Sequence, residues 1–373
     1  MADAQANMRP LPTIYDVARA AGVSIASVSR VLNGHRNPRQ ETRDRVLKAV
    51  AELGFVPDGA ARALSVRLKE VVGVVFRRPQ WTENSEAVFA EEDESLQFTD
   101  VINRGIEVAA QHRGYNLLVG SVAINDHDAR RRIMTLARKS DGLILHDQVL
   151  EPARLAQLSQ QVPVVTLAGV ATQTTANVRS DSGSSMRELA RHLICDHGYE
   201  TLAYLAGFAD SPDNIARRQA LAEEAASGGA RFIEGPQWQG NYYAAGGARV
   251  VGRLLADRAP LPRAIVCAND QTALGVMYVL AAQGIDVPGT VAVTGFDDIP
   301  VARHLRPQLT TIRQPIQNLG ATAFEVLRSM IGNREPASRD VVLPTRLVRR
   351  ESCGCPPEPP HAAWRGRDEQ AAG

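Results

Sequence analysis

"TIYDVARAAGVSIASVSRVLNG", residues 13–34, is a run of small apolar residues interrupted at its centre by Gly-Val-Ser. Thr13 and Asp16 have the spacing at which a hydroxyl and an acid satisfy the orphan amides of a first helical turn. Ile14, Val17, Ala18 and Ala21 then recur at i, i+3, i+4 and i+7, one buried stripe, and Gly22 supplies a left-handed stop. Ser24 caps a second helix, in which Val28, Val31 and Leu32 point inward and Ile25, Ala26, Ser29 and Arg30 outward. Two helices joined by a short Gly-containing turn are either a plain helical hairpin or a helix-turn-helix, whose second helix enters a DNA major groove.

The neighbouring sequence favours DNA. "ETRDRVLKAVAELGF" predicts a third helix with Val46, Ala49, Val50 and Leu53 inward and Gly54 as its stop, although Arg39 is a poor cap for it. From Arg9 to Lys69 there are eleven basic and five acidic residues, a surplus of six, whereas the whole chain carries +1, so the remainder carries about −5. Phosphate neutralisation needs a locally cationic module, not a basic chain.

At 373 residues the chain suits a small module plus a body of two lobes, and 44% apolar with 22% charged residues is ordinary for a globular protein. The first twenty residues lack a signal peptide's apolar run, and no window holds eighteen apolar residues, so a cytoplasmic protein without membrane association is expected. Cys195 and Cys267 sit in apolar surroundings and read as buried thiols. Cys353 and Cys355 form C-x-C with His361 beyond, but without a second ligand pair no metal is expected there. Trp81 to Asp100 holds seven acids and no Lys or Arg, and reads as a solvated loop.

From Val71 short apolar runs alternate with helical stretches. "VVGVVF", "YNLLVGSV", "DGLILHD" and "PVVTLAG" predict buried strands, with helices near 101–113, 127–139 and 152–160. The rhythm returns in "TLAYLAG", "RFIEG", "AIVCAND" and "VAVTGFDD". Two parallel α/β lobes leave a cleft at the carboxyl ends of their strands, where ligands bind. Asn269 with Asp270, and Phe296 with Asp297 and Asp298, end such strands and offer an amide and carboxylates to hydroxyl groups.

These blocks, in order with "ETRDRVLKAVAELGFVPDGAARAL", "RGIEVAAQHRGYNLL", "ANDQTALGVMYVLAAQGIDVPGTVAVTGFDDIPVARHLRPQLTTIRQP" and "RLVRRESCG", resemble the LacI family of bacterial transcription regulators over residues 13–354. The resemblance implies a small all-α helix-turn-helix domain followed by a two-lobed α/β periplasmic-binding-protein-like (type I) sensor. Its divisions would be a disordered N-terminus (1–12), the DNA-binding domain (13–56), a hinge helix and linker (57–70), an effector-binding and dimerisation domain (71–354) and a disordered tail (355–373). Three lobe crossings are expected near 172–178, 308–313 and 335–340.

By the same resemblance Ile25, Ala26 and Arg30 take base-reading positions, with Thr13 and Ser29 nearer the backbone of an inverted-repeat operator. In "PDGAARAL", Ala61 lets two hinge helices approach and Leu64 wedges a minor-groove step, while Asp58, where the family has Asn, reads as a cap. The effector set is Phe98, His146, Arg217, Tyr242, Asn269 and Asp297; Asn269 could equally cap the following helix, and Asp181 is read as a helix cap. Arg217 and Asp297 suit vicinal hydroxyls of a sugar or sugar derivative, with a purine or other planar ligand as the alternative. The protein implied is a homodimeric repressor without cofactor, an activator being the other possibility. A leucine heptad helix that would extend assembly beyond the dimer is absent after Arg350. A transporter's solute-binding protein would have no use for the cationic module, and an enzyme would need a nucleophile and base pair that His127-Asp128 does not make.

Overall fold

The computed structural model describes residues 12–32, 38–55, 68–78, 88–123, 128–146 and 149–357. Ala61 and Leu64 lie outside the described residues, as do His127 and His361. The chain forms two compact units, Met1–Val71 and Val72–Gly373. No described helix is long and apolar enough to cross a membrane.

In the first unit, α1 (Ile14–Ala21), α2 (Ile25–Leu32) and α3 (Gln40–Leu53) enclose Val17, Ala18, Ala21, Val28, Val31, Val46 and Ala49. The Thr13 amide donates to Asp16 Oδ2 at 2.9 Å, and the Ser27 amide to Ser24 Oγ at 3.2 Å, so both early helices start on side-chain acceptors. Gly22 ends α1 at φ 61°, and α3 starts at Arg39 with no side-chain cap. Arg45 fixes the turn from across the unit: its Nε donates to the Ala21 carbonyl at 2.9 Å and its Nη2 to that of Gly22 at 2.8 Å.

The second unit has two lobes, each a sheet between helical layers. The first lobe holds β1 (Val71–Arg78), α4 (Val88–Gln111), β2 (Asn116–Ala123), α5 (Ala129–Lys139), β3 (Gly142–His146), α6 (Pro152–Ser159), β4 (Val164–Leu167) and β5 (Ala176–Ser180). The second holds α7 (Ser182–Arg191), which runs on into a π-helical turn His192–Asp196, then β6 (Thr201–Leu205), α8 (Pro212–Ser227), β7 (Arg231–Ile233), α9 (Ala244–Ala256), β8 (Ala264–Cys267), α10 (Asp270–Ala282), β9 (Ala292–Thr294) and β10 (Thr311–Arg313). α11 (Ile316–Ile331) returns to pack on α4, β11 (Asp340–Leu343) joins the first sheet, and β12 (Arg346–Val348) pairs with β10. The sheet orders are β11-β5-β4-β3-β1-β2 and β7-β6-β8-β9.

The strands alternate between two cores, as a period of two requires. Val72, Val74 and Phe76 pack under α4 and α11, while Val75, Leu143 and Leu145 pack under α5 and α6. Leu202, Tyr204 and Val266 face α7 and α8, while Ala203, Leu205 and Ile265 face α9 and α10. Both faces are covered, which is why these strands read as unbroken apolar runs.

Several expectations need correction. The acidic stretch is helical from Val88: the apolar stripe Phe98, Val101, Ile102, Ile106 and Ala110 seats α4, and Glu, the commonest acid in the stretch, is a good helix former. The crossings lie further along the chain, near 180–182, 313–316 and 343–346, because residues 176–180 and 340–343 themselves pair into the first sheet, Asp340 opposite Asn177. Cys195 is exposed, since the π-helical turn carries it away from the core that buries its neighbours His192 and Leu193; Cys267 is buried. Order also persists past residue 354: Cys355 packs half-buried on the second lobe's core.

Candidate functional site

On the first unit, the buried stripes turn Ile25, Ala26 and Arg30 outward. Ile25 is 41% exposed, Ala26 and Arg30 are exposed, and Ser29 is half-buried. Thr13 is exposed, but its hydroxyl is held by Asp16 Oδ2 at 2.6 Å. Tyr15, which the sequence reading left unassigned, is 63% exposed beside it. The exposed side of α2 thus carries apolar Ile25 and Ala26 and one forked donor, Arg30.

In the second unit a cavity of about 180 Å³ lies between the carboxyl ends of the two sheets, and Phe98, His146, Arg217, Tyr242, Asn269 and Asp297 all line it. The first lobe contributes Phe98 from α4 and His146 from the end of β3, with the Phe76 ring centred 4.1 Å from the histidine ring and tilted 47° to it. The second lobe contributes the others, from α8 and from the segments that follow β7, β8 and β9.

Arg217 is only 3% exposed and is held on four sides. Its Nη1 donates to the Ala268 carbonyl at 2.7 Å, its Nε to Ser182 Oγ at 3.2 Å and its Nη2 to Asp213 at 3.2 Å, and its guanidinium lies 3.5 Å from the centre of the Phe296 ring. Asp297 accepts from Gln314 Nε2. Burial pushes its carboxyl up to about 7, against the opposing pull of Arg217 and the Gln314 hydrogen bond. Tyr242 sits at φ 68°, its ring flat over Gly207, where a Cβ would fall 2.1 Å from the ring. Phe208 meets it edge-on at 5.5 Å.

Asn269 performs the capping task left open above: its Oδ1 accepts from the Thr272 amide at 3.0 Å and its Nδ2 donates to the Tyr242 carbonyl at 3.0 Å. It therefore holds the Tyr242 backbone as well as lining the cavity. Asp181 caps α7, accepting from the Ser184 amide at 3.2 Å.

Two polar atoms in the wall have no hydrogen-bond partner among the described residues, His146 Nε2 and Gln271 Nε2. Burial holds the His146 imidazole down to about 3, so it is neutral at physiological pH and offers one lone pair and one N–H. Buried polar atoms ordinarily find partners, and these two, both in the cavity wall, have none among the described residues.

Not every strand-end acid faces the cavity. Asp298 is paired with Arg313 and, at 2.7 Å, with Arg350 Nη2. Asp270 accepts from the Ile299 amide at 2.9 Å and from Thr311, and burial among acids raises its carboxyl well above the usual range. Both fasten loops. The sequence reading missed Arg77, Phe208, Asp213, Gln271 and Gln314, which also line the cavity. Arg77 ends a parallel strand, so the rule that singled out Asn269 and Asp297 reaches it too; Gln314 follows β10, which pairs antiparallel with β12, and lies outside that rule.

Residues 13–58 match the family model described as bacterial regulatory proteins, lacI family, and residues 190–353 that of the periplasmic binding protein-like domain. The HTH-type transcriptional regulator GalR of Escherichia coli (strain K12) is 33% identical over 354 residues, covering 93% of this chain and 97% of that protein. The Lac repressor dimer bound to operator and the anti-inducer ONPF has a TM-score of 0.76 at 26% identity, covering 92% of this chain and 99% of that one. A complex of the transcriptional regulator CelR with cellobiose has a TM-score of 0.63 at 30% identity, covering 91% and 99%.

Proposed function

Because the chain belongs to the LacI family of bacterial regulatory proteins, we propose that it represses transcription as a homodimer on an inverted-repeat operator, and that a polyhydroxylated ligand bound between its lobes sets its operator affinity. In this reading Arg30 donates to a guanine edge, Ile25 and Ala26 make apolar contact with bases, and Thr13 and Ser29 approach phosphates. In the same reading Ala61 and Leu64, which lie outside the described residues, approach the minor groove. No catalytic step is assigned.

The observation that carries the ligand assignment is the pair of unpartnered wall atoms, His146 Nε2 and Gln271 Nε2, in the same cavity as Asp297 and Arg217. Four directional groups around an apolar floor of Phe98, Phe208 and Tyr242 suit a ring with hydroxyls on its edge and C–H bonds on its face. At about 180 Å³ the space is smaller than the roughly 300–1,000 Å³ of a drug-sized site, which favours one sugar ring over two. The CelR complex holds cellobiose, a ligand of two rings. Ligand control requires only that the two lobe arrangements bind the effector differently.

Footprinting on genomic fragments would define the operator. Monosaccharides, their phosphates and derivatives, disaccharides and purines would then be titrated into the operator complex. A one-ring polyol that shifts operator affinity supports the reading. A response to purines alone would replace the sugar with a planar ligand stacked on Tyr242, and a response to none would remove the effector assignment.

A further inference from the structure

We propose that His192, His197, Cys353 and Cys355 form a tetrahedral site for one Zn²⁺ ion, which fastens the C-terminal segment to the second lobe. His192 Nε2 lies 3.2 Å from His197 Nε2, 3.5 Å from Cys353 Sγ and 3.4 Å from Cys355 Sγ, and His197 Nε2 lies 3.6 Å from Cys355 Sγ. All four ligand atoms are within 4.8 Å of one another. Zinc–sulfur bonds of about 2.3 Å and zinc–nitrogen bonds of about 2.05 Å put neighbouring ligand atoms of a tetrahedron roughly 3.3–3.8 Å apart. Four of the six separations already stand close to that spacing, and the other two are within 4.8 Å, so small side-chain shifts bring the four atoms around one ion. A two-iron cluster with the same ligand types keeps its histidines and cysteines on different irons, so such close mutual contact selects a single ion.

The supporting groups suit a metal as well. His192 Nδ1 is 2.7 Å from Asp196 Oδ2, the carboxylate–histidine pairing that fixes the ring and leaves Nε2 as the ligand atom. The Thr310 hydroxyl lies 3.0 Å from Cys353 Sγ and 2.8 Å from the Arg350 carbonyl, within reach of donating to a thiolate. Two thiolates cancel the charge of Zn²⁺, so the buried site is neutral overall. Four protein ligands leave no open position, which makes the site structural and not catalytic.

Backbone specialisation serves the same convergence. The π-helical turn His192–Asp196 is wider than an α-turn, so His192 and His197, five apart, come onto one side. Gly354 between the cysteines sits at φ 101°, and a Cβ there would lie 3.1 Å from the Tyr199 hydroxyl and 3.3 Å from His197 Nδ1. Tyr199 donates to the Cys353 carbonyl at 2.8 Å, which holds the C-x-C turn against the histidines. The missing second ligand pair is thus supplied from some 160 residues upstream, and not by His361.

The test uses the full chain without a polyhistidine tag. Metal analysis after dialysis should find about one zinc per protomer, and replacement by Co²⁺ should give thiolate charge-transfer absorption together with the visible bands of a tetrahedral ion. Cys355→Ser and His197→Gln should each lose the zinc, and chelation should lower the melting temperature of wild type but not of Cys355→Ser. If the variants misfold, the wild type still decides: exposed Cys195 should react with a thiol reagent and buried Cys267 resist throughout, while Cys353 and Cys355 should become reactive only when a chelator is added. Metal-free protein whose Co²⁺ form lacks thiolate absorption, or zinc retained by Cys355→Ser, would overturn the site.

Discussion

Arg77 at the end of β1 reaches from the first lobe to Asp210 in the second, Nη1 lying 3.1 Å from Oδ1, with its guanidinium 4.6 Å from the centre of the Phe208 ring. The pair spans the two lobes beside the cavity that Arg77 and Phe208 line. An ion pair this exposed contributes about 0.2–1 kcal/mol, and a cation over an aromatic face roughly as much again. Arg77→Ala should therefore weaken effector binding about 3- to 20-fold through a less stable closed arrangement, and Asp210→Asn by less. Calorimetry on both variants and the double variant checks this; unchanged affinity in Arg77→Ala would mean that closure does not use the pair.

Arg30→Ala should relax operator specificity at one base position of each half-site, since a good bidentate base contact discriminates by about 1–3 kcal/mol. Neutralising a Lys or Arg that contacts only phosphate should instead weaken all sequences together and flatten the salt dependence. Binding selections on randomised operators separate the two; intact preference in Arg30→Ala would remove it from base reading.

The headpiece was legible because its signals are local: Thr13, Ser24 and Gly22 punctuate the chain, and each apolar stripe is read within one helix. The cavity residues were legible by a different rule, that polar side chains at the carboxyl ends of parallel strands face a cleft. That rule does not separate Asp297 from Asp298, because the difference lies in Arg313 and Arg350, which reach Asp298 through the fold. The start of α4 was missed because composition, and not periodicity, decided the reading of its acids. The His192–Cys353 neighbourhood was invisible for a topological reason: β10 and β12 pair antiparallel and return the chain end to α7.

Assembly should stop at the dimer. Residues 351–373 lack Leu, Ile and Val and contain four prolines, so this segment cannot build a heptad seam. Sedimentation of the full chain and of a chain ending at Pro357 should give the same dimeric mass. A tetramer in either would show that another surface assembles it.

Asp297 yields the last prediction because its chemistry and its stability effect point in opposite directions. Its carboxyl titrates near 7 in the folded protein through burial, against an ordinary value of 3.8. Between about pH 4 and pH 7 the unfolded chain releases this proton and the folded chain keeps it, so this group's stabilising contribution is full below pH 4, falls through that window and is lost above 7. Asp297→Asn removes the penalty and should be more stable than wild type at pH 8, by an upper bound on the order of 2–4 kcal/mol, with the gain shrinking toward pH 4. The ionised carboxylate is the better acceptor for ligand hydroxyls, so effector affinity in wild type should fall as pH drops below about 7. In Asp297→Asn that pH dependence should vanish and the operator response to effector should be lost. Thermal melts between pH 4 and pH 8, with effector titrations of the operator complex over the same range, read both effects. A folded Asp297→Asn protein that still responds at wild-type effector concentrations would take Asp297 out of the binding site, whatever its melting curve showed.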